Sequence, residues 1–104
     1  MKFVIKNALK ENIVTLMRRV GYYFIGENKT GRELIFVRPL RTGRSGYPRF
    51  HIYLKVNQKT EEILFNLHLD QKKPIYRGVT AHSGEYDGKI VKEETERIKQ
   101  ILSK

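Results

Sequence analysis

The chain has no cysteine and no tryptophan, and only three prolines. Without cysteine there is no disulfide framework, no thiolate zinc site and no cysteine nucleophile. Long apolar runs are missing too: near the N-terminus only Phe3 to Ile5 are consecutively apolar before Lys6. That is too short for a secretory signal or a membrane span, so the expectation is a cytoplasmic chain with no membrane partner. No internal repeat or low-complexity tract is visible. No HExxH, zinc-ribbon, calcium-loop, Walker or GxGxxG pattern occurs, and Ser83 has no nucleophile-elbow context. No cofactor is implied.

Acidic residues are scarce in one part of the chain. The 104 residues carry a formal net charge of +10, from 21 Lys and Arg against 11 Asp and Glu. Residues 1–60 hold 13 of the cations but only Glu11, Glu27 and Glu33, so 13 − 3 accounts for the whole excess. A positive field confined to one region concentrates polyanions and speeds their association. RNA or DNA is the partner this charge map predicts. With 39% hydrophobic residues the composition is that of one globular domain over residues 1–104.

Leu9, Ile13, Leu16, Met17 and Val20 recur at helical spacing, which predicts a helix capped by Asn7 and closed at a left-handed Gly21. Tyr22 to Ile25 and Leu34 to Val37 then read as a hairpin with Glu27 opposite Arg32. Both of its faces are apolar, so it is either covered twice or leaves an aromatic strip exposed. Arg38 to Arg49 reads as an arginine-rich loop. Alternation is cleanest in a second hairpin, Phe50 to Val56 with Ile63 to Leu69, where pairing Val56 with Glu61 puts Ile52 opposite Phe65. Residues 71–88 read as a long polar loop with an extended piece near Ile75 to Ala81. A final helix from about Lys89 places Val91, Glu94 or Thr95, Ile98, Ile101 and Leu102 on one side, with Asp87 as its cap. The fold class expected is α+β: an antiparallel sheet of about four strands in two hairpins, flanked by an N-terminal and a C-terminal helix in a two-layer sandwich.

Three sets of residues carry candidate chemistry. In the expected register His51 faces Asn66, Arg49 faces His68 and Asp70 faces Tyr47, which leaves His51 and His68 as diagonal neighbours roughly 7–8 Å apart. Two imidazoles so placed could act as base and acid on a phosphodiester, with Arg49 stabilising the charge that develops, as in metal-independent RNA cleavage. The same face serves equally as a binding platform. Tyr47 and Tyr53 would stack on bases, and Arg18, Arg19, Arg38, Arg41, Arg44, Arg49 and Lys55 would contact phosphates. A third set, His68, Asp70, His82 and Glu85, offers metal ligands for a metal-dependent phosphodiesterase or a metal-stabilised loop, because His-x-Asp on a strand points both side chains one way. The bland readings are a solvated sheet face, a solvated arginine connector and a helix-capping Asp87.

The stretches His68-Leu69-Asp70-Gln71-Lys72-Lys73 and Ala81-His82-Ser83-Gly84-Glu85-Tyr86, together with Arg49-Phe50-His51, resemble a family of small uncharacterised prokaryotic proteins. That resemblance covers about the last half of the chain and implies no activity. A helix ending in Arg-Val-Gly-Tyr, followed by antiparallel strands and a helix, is similar to the double-stranded-RNA-binding-like (dsRBD-like) architecture of HicA-type mRNA-cleaving toxins. Those carry a Gly-Ser-His strand motif that is missing here, so the likeness implies an RNA-related architecture and transfers no residue.

Overall fold

The computed structural model describes residues 1–6, 11–28, 32–40, 48–70 and 88–102, and the backbone of 84–85. Its elements run β1 (Lys2–Lys6), α1 (Ile13–Arg19), β2 (Tyr23–Asn28), β3 (Glu33–Pro39), β4 (Arg49–Asn57), β5 (Glu62–Asp70), β6 (Gly84–Glu85) and α2 (Lys89–Leu102). The α+β class holds, but the antiparallel sheet has five long strands in the order β1-β5-β4-β3-β2, not four. β1 is the strand beyond the two expected hairpins. Its pattern is short but strictly alternating, with Phe3 and Ile5 buried and Lys2, Val4 and Lys6 exposed. Phe3 stacks on Phe65 across the pair, with ring centroids 4.8 Å apart. The two-residue β6 continues the same edge of β5 by pairing with Leu69 and Asp70.

The first helix starts later than the apolar spacing predicts. Asn12, not Asn7, is the cap, and its side-chain oxygen accepts from the amides of Val14 and Thr15. Asn7 and Leu9 lie outside the described residues. The far end is as expected: Gly21 has φ +93°, its amide donates to Arg18 O, and Tyr22 N donates to Met17 O. This pair of bonds is the Schellman closure that turns the chain from α1 into β2. Asp87, expected to cap α2, and the extended piece near Ile75 to Ala81 also lie outside the described residues.

Both helices lie on one face of the sheet. Leu16, Met17 and Val20 of α1 and Val91 and Ile98 of α2 share a core with Phe36, Ile52, Leu54, Ile63, Phe65 and Leu67 of the strands. Pleating sends alternate residues to the opposite face, which neither helix covers.

In the β4–β5 hairpin the expected faces are right and the register is two residues out. Val56 pairs with Ile63, Ile52 with Leu67 and His51 with His68. A two-residue shift preserves which side each residue faces, so burial alone does not discriminate the two registers. The turn does. Asn57 accepts from the amides of Lys59 and Thr60, and Glu61 takes φ +57°, which moves the innermost pair out to Asn57 and Glu62. In the first hairpin Glu27 pairs with Leu34, not Arg32, and a bulge between Phe24 and Gly26 shifts the register. β2 is an edge strand whose Tyr23, Phe24 and Ile25 stay exposed, so the aromatic strip is the outcome. No helix among the described residues is long and apolar enough to cross a membrane.

Candidate functional site

The helix-free face is written by cross-strand rows. Tyr23, Val37, His51 and His68 form one row, and Gly26, Ile35, Tyr53, Asn66 and Lys2 the next. Then come Lys55, Leu64 and Val4, with Glu33 lining the same groove, while Arg49 and Asp70 pair beyond the histidine row. The expected partners of these residues are therefore corrected. His51 faces His68, not Asn66, and Asp70 faces Arg49, not Tyr47, because the Asn57 turn sets the register.

The face has two ends of different character. At one end the His51 and His68 rings lie 5.0 Å apart, and Tyr53 packs on both, at 4.7 Å and 5.3 Å. His68 is only 8% exposed. His51 Nδ1 is 3.2 Å from Asp70 Oδ2, and Arg49 Nε donates to the same oxygen at 3.4 Å. The other ring nitrogen of His51, Nε2, is buried with no hydrogen-bond partner among the described residues. Burial, reinforced by the His51 charge, lowers the His68 pKa. Burial pushes Asp70 upward, but the hydrogen bond and charge of His51, with Arg49, outweigh it and hold the carboxyl below its usual range. His51, His68 and Asp70 each offer a donor atom, all within 4.8 Å of one another.

The other end is open and basic. Two adjoining grooves share Lys55 and Leu64. One, of about 260 Å³, runs past Lys2, Glu33 and Tyr53, and the other past Arg32 and Lys59. Glu33 is the one acid among their described lining residues, against four cations.

The expected binding residues do not all converge here. Arg49, Tyr53 and Lys55 share the helix-free face. Arg18 and Arg19 sit in the last turn of α1 in the helical layer, with Arg19 paired to Glu11. Arg38 belongs to β3 rather than to a loop and points to the helical side, where Nη1 meets both oxygens of Glu94 at 3.3 Å. Arg41, Arg44, Tyr47 and His82 lie outside the described residues. Glu85 is placed by its backbone alone, opposite Leu69.

Sequence reading passed over Lys2, Arg32 and Lys59. The strand alternation of Lys2-Phe3-Val4-Ile5-Lys6 was the available signal for the first. No known protein family, curated protein or solved structure matches this chain.

Proposed function

We propose that this domain binds nucleic acid, RNA in the first place, as a single strand laid along the basic end of the helix-free sheet face. The observation that carries the reading is the pair of adjoining grooves in which Lys2, Arg32, Lys55 and Lys59 surround an apolar floor beside Tyr53. Cations spaced along a groove follow a phosphate backbone, and an aromatic ring in its wall gives an unpaired base a stacking surface. The dsRBD-like reading of the architecture belongs to this proposal as a likeness of layering. Stacking at Tyr53 needs unpaired bases, which is why a single strand is preferred over a duplex.

Burial of the histidine pair supports binding over metal-independent cleavage. A phosphodiester must reach both imidazoles, yet His68 and the free nitrogen of His51 are enclosed. RNA incubated with the protein in EDTA should therefore stay intact.

The decisive measurement is fluorescence anisotropy of labelled single-stranded RNA, DNA and duplex probes over a salt series. Four phosphate contacts predict a slope of log K against log salt of about −3, and Lys55→Ala should make it shallower by about 0.7. Tyr53→Ala should cost about 1–3 kcal/mol at every salt concentration. Absence of binding at low salt, or affinity indifferent to Lys55, would overturn the proposal.

A further inference from the structure

From the enclosed end of the same face we infer a second site, for a divalent transition-metal ion held by His51, His68 and Asp70. It stands independently of nucleic-acid binding, because its residues line neither basic groove. The three donors come from adjacent strands in one register: His51 lies directly opposite His68, and Asp70 lies two residues beyond His68 on the same face. Their donor atoms fall within 4.8 Å of one another. Ligands at 2.0–2.2 Å from a common ion stand roughly 3–3.5 Å apart at a tetrahedral edge, so the 3.2 Å between His51 Nδ1 and Asp70 Oδ2 already has that spacing. Coordination requires the wider separations to close to that edge length.

The second observation is the enclosure of the imidazole pair. His68 is 8% exposed and the His51 side chain 14%, so both rings sit largely out of water beside the carboxylate. Their centroids stand 5.0 Å apart, close enough for both rings to turn a nitrogen toward one ion.

Enclosure of the pair suits an ion better than a phosphodiester. Two imidazoles and one carboxylate select a borderline ion such as Zn²⁺ or Fe²⁺ over Mg²⁺ or Ca²⁺, which take all-oxygen sets. Arg49 beside Asp70 disfavours a cation, and its Nε must give up the Oδ2 contact when an ion binds there. The absence of cysteine leaves imidazole and carboxylate as the ligands this chain can offer.

The test uses the full chain, cleared with EDTA and free of nucleic acid, titrated with Zn²⁺ alone by calorimetry and with Co²⁺ by visible absorption. One equivalent of Zn²⁺ should bind, Mg²⁺ should not compete, and the melting temperature should rise with Zn²⁺ concentration. His51→Ala and His68→Ala should each weaken binding by more than the roughly 10–100-fold that loss of an outer partner costs. Asp70→Asn, which keeps the side chain's shape if the alanine variants fail to fold, should weaken it at least about 10-fold. A wild-type protein that binds no Zn²⁺ overturns the assignment. So does unchanged affinity in Asp70→Asn or in folded histidine variants.

Discussion

Glu94 is the side chain whose surroundings say most about how this molecule is held together. It occupies an apolar position of α2 and is 4% exposed. Its carboxylate accepts from Tyr22 Oη at 2.6 Å, from Arg97 Nε at 2.7 Å and Nη2 at 2.9 Å, and from Arg38. Arg97 also donates to Val20 O at 2.6 Å, the carbonyl at the end of α1. One buried charge thereby joins α2, β3 and the corner between α1 and β2. Glu94→Ala should cost about 3 kcal/mol in urea unfolding, the lower end of the range for breaking a buried pair, because both guanidiniums are about a third exposed and can hydrate. Tyr22 gives the pH dependence. Burial, then the charge and hydrogen bond of Glu94, raise its ionisation far above the ordinary phenol range. Unfolded tyrosine ionises near about pH 10, so above that pH the unfolded state sheds a proton that the folded state keeps. The stabilisation is fully present below that value and is lost as pH rises past it. Tyr22→Phe should flatten the alkaline fall in melting temperature between pH 9.5 and 11.5, a comparison that cancels the other tyrosines and the lysines.

At the scale of elements, turns decide what alternation leaves open. Gly21 closes α1 at φ +93°, and a Cβ there would stand 3.3 Å from Arg38 Nε. Gly21→Ala should therefore destabilise by on the order of 1–2 kcal/mol, through the left-handed backbone and the displaced guanidinium together. Chemical denaturation with unchanged slope is the check. That C-cap was legible because a glycine followed the last apolar residue of the helix. The faces of β4 and β5 were legible for a similar reason: Phe50, Ile52, Leu54 and Ile63, Phe65, Leu67 alternate cleanly. Their register was not, since it depends on an Asn57 side chain bonding its own turn and on Glu61 accepting a left-handed backbone, which few residues other than glycine do. β1 escaped because five residues ending in lysine look like a charged terminus until Phe65 supplies a stacking partner. The candidate site inherits this history. His51, His68 and Arg49 were placed on one face, whereas the approach of Asp70 to His51 required the true register. Glu94 appeared on the core side of α2, and a carboxylate at such a position calls for buried cations, but Arg38 and Arg97 are 56 and 3 residues away.

For the whole molecule, layering converts a sequence-level charge excess into a direction. The basic grooves belong to the sheet face that the helices leave bare, while α2 lies in the other layer with Lys89 and Lys92 exposed and Glu93 and Glu96 beside them. At physiological ionic strength charges are screened beyond about 8 Å, so cations on the helical layer contribute little to a strand bound across the sheet. Two double reversals of equal formal charge separate a bound face from a merely basic protein. Lys2→Glu with Lys59→Glu removes two groove cations, and should lower single-stranded RNA affinity more than 10-fold at 150 mM salt while making the salt slope shallower by at least about 1.4. Lys89→Glu with Lys92→Glu changes the net charge by the same amount on α2, and should leave the slope unaltered and the affinity within about 2-fold. Anisotropy titrations on both variants, with melting curves to confirm folding, decide the matter. Equal losses from the two reversals would mean that the +10 acts as a diffuse field rather than through a groove.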